Sequence, residues 1–350
     1  MVNKTVLASL NAGLLSAMKK NEEVFLMGED ILDPYGGAFK VTKGCSTAYP
    51  ERVLAAPISE AALAGVTAGM ALRGLRPVLE IMFGDFTTLI TDQLVNHISK
   101  FRWMYNDTVS LPLVIRTPMG GRRGYGPTHS QTLEKLFMGV PGLSLLAPVN
   151  LVEKTLNQEP GDLLENTILN TDNPVLFIEN KLQYLLPLYQ QEDLPELDIK
   201  LAEIRRDDKL PCPTYCINVK GAPAAQVTLS AYGYMAELAR QAMLKLAYEE
   251  EIFTELIIPT RLTPFDTGAV TESAGRTGRL VTIEEGSLTL GWGAELIVRV
   301  MEGLSGERLF AVRVAARDLP VPAAPSLERN VLPQVEDILR AVRKVVTHDQ

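Results

Sequence analysis

SEAALAGVTAGMALRGLRPVLEIMFGDF, Ser59 to Phe86, decides the fold. Its first half is a proline-free run of alanines and glycines, which predicts a helix capped at Ser59 and packed closely against a neighbour. RPVLEIMF is then a strand. Upstream, Thr5 to Lys20 has the spacing of an amphipathic helix, and VFLMGED (Val24 to Asp30) that of a buried strand ending in acidic residues. Downstream, FTTLITDQLVNHISKFRWMY predicts one long helix, and LPLVIRTP, GLSLLAPV and PVLFIEN predict strands. Strands alternating with helices give a largely parallel sheet covered on both faces.

The alternation stops after Asn180. A proline-rich, charged stretch without sustained period follows, the pattern of a connector draped over the surface. It resumes with VTLSAYG, a helix from Met235 to Glu249, FTELIIPT, RLVTIEE, a helix from Trp292 to Gly303, LFAVRVAA and a closing helix from Val331 to Val346. The expected class is α/β, two three-layer units at residues 1–180 and 226–350 joined by a connector at 181–225. A chain of 350 residues with 46% hydrophobic content is long enough for two such cores.

Charge and cysteine content exclude several classes. The net charge of −8, from 34 basic and 42 acidic side chains, gives no general attraction to nucleic acid or an anionic membrane. No apolar run approaches the ~20 residues of a membrane span, and the first residues hold no uninterrupted apolar block followed by a small-residue cleavage site, so no secretory leader is expected. Cys45, Cys212 and Cys216 lack metal-type pairing, so reduced thiols, no metal site and a cytoplasmic location are expected.

Glu60 falls in the first turn of the predicted helix, where a carboxylate completes a cap or, among small apolar neighbours, serves as a proton donor or acceptor. GGRRGYGPTHSQ, Gly120 to Gln131, follows LPLVIRTP directly and so lies at a strand's carboxyl end, where open α/β sheets bind ligands. It carries His129, and its Arg122 and Arg123 suit a carboxylate or phosphate, or an acidic partner subunit. His97, inside the long predicted helix, is expected to pack or to be hydrogen-bonded, and His348, in the tail, to be solvated. The chain has no GxxxxGK[ST], HExxH or GxSxG, and GVTAGMALRG starts inside a helix rather than at a strand-to-helix turn. A base, a histidine and arginines without a phosphate cradle amount to half a site.

GEDILDPYGGAFKVTKG, PISEAALAGVTAGMALRGLRPVLEIMFGDF, DQLVNHISKF, PTHSQ, GRLVTIEEG and DLPVPAAPSLERNVLPQVEDI together resemble the beta subunits of thiamine diphosphate-dependent 2-oxo acid dehydrogenases of the pyruvate and branched-chain type. The resemblance implies a transketolase-like pyrimidine-binding domain followed by a transketolase C-terminal-like domain. It also implies a cofactor shared between subunits, with an alpha subunit holding the diphosphate and magnesium through a GDG motif that this chain lacks. An α₂β₂ heterotetramer is then expected, with the acyl unit from a 2-oxo acid passed to the lipoyl arm of an acyltransferase core. Glu60 corresponds to the glutamate bonded to a pyrimidine nitrogen, Phe86 to the aromatic packed on that ring, and Ile58 to the adjoining wall. Glu29 is placed with them as a cofactor-binding residue. His129 matches the histidine that borders the substrate and assists transfer to the acceptor, which makes Glu60 and His129 the expected catalytic pair. Family members often bind potassium near the equivalent of TDNP, although the aspartate spacing is shifted here.

Arg122 and Arg123 make the loop more basic than the family pattern, which keeps a second reading open. In it the chain belongs to a carboligase or transketolase-like enzyme that transfers to a sugar or other carbonyl acceptor. A third reading is a non-catalytic assembly subunit, against which the joint presence of Glu60, Phe86 and His129 counts.

Overall fold

The structure is a computed structural model that describes residues 4–152, 158–203, 210 and 212–347; His348 lies outside them. In chain order its strands are β1 (Val24–Gly28), β2 (Val53–Ala55), β3 (Arg76–Glu80), β4 (Val114–Met119), β5 (Ser144–Leu146), β6 (Val175–Asn180), β7 (Leu197–Glu203), β8 (Thr214–Val219), β9 (Val227–Ala231), β10 (Thr254–Pro259), β11 (Arg261–Thr263), β12 (Arg279–Ser287) and β13 (Phe310–Ala316). The α-helices are α1 (Val6–Lys20), α2 (Cys45–Ala48), α3 (Glu60–Leu72), α4 (Phe101–Met104), α5 (Pro160–Asn170), α6 (Tyr234–Glu250), α7 (Gly268–Thr277), α8 (Trp292–Gly303), α9 (Pro325–Val331) and α10 (Val335–Thr347).

The strands form two sheets, ordered β11-β5-β6-β4-β3-β1-β2 and β13-β12-β9-β10-β8-β7. The first is parallel except where β11 joins β5 antiparallel, so a strand from late in the chain completes the early sheet. In the second, β13, β12, β9 and β10 run parallel while β8 and β7 add an antiparallel edge. The stretch read as a surface connector therefore supplies two strands, where Leu197, Tyr215 and Ile217 are buried against the second core. Their apolar alternation is short and interrupted by charge, which hid it in the sequence.

Burial explains the helices. The α10 face of Ile338, Leu339, Ala341, Val342 and Val345 is buried against the second sheet, each large aliphatic worth about 2 kcal/mol. α1 and α5 touch backbone to backbone, because a Cβ on Gly13 would fall 2.2 Å from the Gly161 carbonyl oxygen. Pro160 and Gly161, residues that break helical spacing in the sequence, are thus a helix start and a helix contact, Pro160 standing in the first turn of α5.

The long helix predicted from Phe86 to Tyr105 is instead broken into a 3₁₀ turn (Gly84–Ile90), a π turn (Gln93–Ile98) and α4. Threonines drive the change: the hydroxyls of Thr87, Thr88 and Thr91 donate to the carbonyls of Gly84, Asp85 and Thr88. The Ser99 amide then reaches back five residues to Leu94. His97, expected to pack or to be hydrogen-bonded, is exposed on this turn, with its ring 6.1 Å from that of Phe101 and Nε2 3.7 Å from Asp92.

Candidate active site

The carboxyl ends of β1, β2, β3, β4 and β6 meet along one edge of the first sheet, and the candidate site is built there. A cleft of about 710 Å³ opens beside β1 and β2, lined among others by Asp30, Leu32, Tyr35, Phe39, Ala55 and Ala56. Glu29 follows β1 and Glu60 begins α3, and both are buried. Burial raises the Glu29 carboxyl, and the Glu60 charge beside it raises it further. Ser59 stands at the N-cap of α3, but its hydroxyl makes no cap bond; its amide instead donates to Glu29 Oε1 at 3.2 Å. Among the described residues the Glu60 side chain has no hydrogen-bond partner. Ile58, 82% exposed, projects from the same loop.

A buried ion network holds this edge. Arg116 on β4 donates through Nε and Nη2 to Glu179 on β6 (2.8 and 2.6 Å) and through Nη1 to Glu80 on β3, with all three side chains out of solvent. Glu80 also accepts the amide of Ala38 at 2.6 Å, which fixes the 30–44 loop that walls the cleft. Gly37 lies under that contact with φ +70°, and a Cβ there would sit 2.5 Å from Glu80 Oε1. Asp33 anchors the loop's far side by accepting from Gly44, Ser46 and Thr47, bonds that hold its carboxyl well below the usual carboxylate range.

His129 lies on the loop after β4. Its ring meets Phe83 and Phe86 edge-on, centroids 4.9 and 5.2 Å apart, and its Nδ1 is 2.9 Å from the Thr128 hydroxyl. Phe86 thus joins His129 directly, with Phe83 bridging to Phe39 at the cleft wall. Next to them, Asp85 accepts from Gln131 while its Oδ2 is buried without a partner.

The two arginines part company. Arg122, at φ +67°, turns into the second unit: its amide donates to Glu328 Oε1 at 2.7 Å, its guanidinium donates to the Pro333 carbonyl, and it lies over the Tyr234 ring. Arg123 stays on the first unit over Phe39. At TDNP, Thr171 bonds to Asn173 and the Asp172 carbonyl accepts the Leu111 amide. Among the described residues no group of three or more His, Cys, Asp or Glu stands together to hold a metal ion. Cys45, Cys212 and Cys216 form no disulfide.

Sequence reasoning missed Lys181, Arg116 and a buried acidic set where the units meet. In that set Tyr232 donates to Glu134 at 2.6 Å, and Glu284 accepts the Trp292 and Gly293 amides at the start of α8. Charged residues ending apolar strands, as in VIRTP and VLFIEN, were the available signal.

Residues 4–185 match the family described as "Transketolase, pyrimidine binding domain", and residues 218–338 match "Transketolase, C-terminal domain". The chain is 37% identical to the "Pyruvate dehydrogenase E1 component subunit beta-2, mitochondrial" of Oryza sativa subsp. japonica, covering 97% of this chain and 85% of that protein. It is 34% identical to the "Pyruvate dehydrogenase E1 component subunit beta, mitochondrial" of Homo sapiens, covering 98% and 90%. Among solved structures it resembles a "Split gene transketolase, inactive beta4 tetramer" in fold, with TM-score 0.71 at 19% identity and 98% of each chain covered. The mitochondrial relatives overturn the cytoplasmic location expected from composition. Reduced thiols and a modest acidic charge are compatible with either compartment and carry no address.

Proposed function

Because the chain belongs to the family of pyruvate dehydrogenase E1 beta subunits, built from transketolase pyrimidine-binding and C-terminal domains, we infer that it is the beta subunit of a thiamine diphosphate-dependent 2-oxo acid dehydrogenase. The observation that carries the inference to this chain's own residues is Glu60, a buried carboxyl group at a helix start beside the cleft, with no partner among the described residues. It is suited to bonding a ring nitrogen of the cofactor's aminopyrimidine.

Thiamine diphosphate, when bound, supplies the nucleophilic carbon and electron sink that a decarboxylation needs. This chain's part is to grip the pyrimidine end. Glu60 bonds the ring and steers a proton at its nitrogen, Glu29 stands beside it with its own carboxyl raised by burial and by the Glu60 charge, and Phe86 and Ile58 supply apolar walls. His129, held by Phe83 and Phe86, borders the reacting carbon and assists transfer of the acyl unit. The diphosphate and Mg²⁺ belong to an alpha subunit, since this chain has no GDG motif. An α₂β₂ heterotetramer follows, with the lipoyl arm of an acyltransferase core as acceptor. The exposed Ile58, Tyr35 and Leu32 around the cleft suit burial by that alpha subunit.

The test is reconstitution with the alpha subunit and assay of 2-oxo acid decarboxylation with an artificial oxidant. Glu60→Gln leaves assembly intact and lowers the rate at least ~100-fold, within the range for a positioned acid or base. Unchanged activity would remove Glu60 from the chemistry.

A further inference from the structure

Lys181 follows directly on β6 and is fully buried. A lysine side chain is rarely enclosed unless its donors are satisfied. Its Nζ donates to the carbonyl oxygen of Gly120 at 2.7 Å and to that of His129. The same Nζ lies over the rings of Phe83 and Tyr125, 5.0 and 5.9 Å from their centroids. Gly120 and His129 stand at the start and near the end of one loop, so a single ammonium closes it.

The topology makes this geometry unavoidable. β4 and β6 are parallel neighbours in which Met119 pairs with Asn180, so the next residues along each strand, Gly120 and Lys181, emerge side by side. The Lys181 amide completes the ladder on Met119 O at 3.1 Å, which aims its side chain across the loop mouth. The His129 ring rests on Phe83, the ring that also faces the ammonium.

We propose that Lys181 is a positioning residue: by tying the carbonyl oxygens of Gly120 and His129 between Phe83 and Tyr125, it closes the 120–131 loop and fixes where the His129 imidazole points. The role of His129 itself rests on the function inferred above; the tie does not. Asp85, Glu285 and Glu328 favour the Lys181 charge and Arg123 opposes it, while burial holds the ammonium down to about 8. The group is thus enclosed against its own solvation, and the carbonyl and aromatic contacts offset that cost.

Hydrogen exchange on the full-length chain tests the tie. Lys181→Met removes the donors at nearly constant length, and should speed exchange of the His129 and Gln131 amides at least ~10-fold while those of β4 and β6 stay protected. Lys181→Arg retains charge and donors and should stay within about threefold of the wild type. Tyr125→Ala, at a 43% exposed side chain, opens one side of the ammonium to water and should speed the same amides by about threefold. In the assembled enzyme, Lys181→Met should lower kcat about tenfold with cofactor affinity unchanged, and Lys181→Arg should restore it. Wild-type protection in Lys181→Met, or equal loosening in Lys181→Arg, overturns the proposal; should Lys181→Met not fold, unchanged exchange in Tyr125→Ala overturns it. A wild-type assembly without activity counts against the inferred function and leaves the exchange result standing.

Discussion

Arg116 and Glu179 face each other across the parallel strands β4 and β6 as a two-toothed pair, at 2.8 and 2.6 Å, with neither side chain reaching solvent. Glu80 completes the set from β3, and through the Ala38 amide it carries the loop that walls the cleft. Arg116→Met strands two buried carboxylates and should cost about 3–5 kcal/mol by chemical denaturation. A loss under ~1 kcal/mol would mean that the network does not hold this edge of the sheet.

Glu284 gives stability a pH dependence. Burial and the neighbouring Glu134 carboxyl push Glu284 up to about 8, against the Trp292 and Gly293 amides and the Arg313 charge. The native state therefore holds this proton more tightly than the unfolded chain, whose glutamates titrate near 4.5. Its contribution is complete below the unfolded value and lost as pH rises through about 8. The free energy of unfolding, read by chemical denaturation, should fall across that window by on the order of a few kcal/mol from this group, and Glu284→Gln should make the slope shallower. An unchanged slope in the variant would assign the effect to other carboxyl groups such as Glu134.

The two loop arginines should separate by assay. The Arg122 guanidinium donates to the Pro333 carbonyl and lies over Tyr234 in the second unit, contacts that Arg122→Ala removes, so the substitution should lower stability by about 1–2 kcal/mol. Arg123→Ala removes only its position over Phe39 beside the cleft and should change stability by under ~0.5 kcal/mol, acting on KM for the 2-oxo acid instead. Thermal unfolding and steady-state kinetics on both variants check this, and equal destabilisation would contradict it.

Gly120→Ala tests how tightly the loop is seated. At φ +97°, an added Cβ would lie 2.6 Å from Asn180 Nδ2 and 3.0 Å from Glu285 Oε1. The substitution should cost about 1–3 kcal/mol, readable as a lowered melting temperature.

Period and composition carried the architecture: β1, α3, β3 and β6, with α6, α8 and β12 of the second unit, all stand where apolar spacing put them. Elements stabilised by contacts distant in sequence were not legible. β7 and β8 form because an edge of the second sheet is open to them, and β11 crosses back to β5. The broken helix after Phe83 depends on threonine hydroxyls competing for carbonyls, which an apolar pattern does not record. At the site, Glu60 and His129 stood out because each is a titratable group in small or glycine-rich surroundings. Lys181 looked like the first residue of a connector, and only the pairing of β4 with β6 brings it beneath His129.

The split cofactor site is the central claim, and calorimetry tests it most directly. Thiamine diphosphate with Mg²⁺ is titrated into the purified chain alone and into its mixture with the alpha subunit. Binding in the mixture only is the predicted result, since in the proposed function this chain grips the pyrimidine alone, and it lacks the GDG motif for the diphosphate. Tight binding by the chain alone would contradict the account.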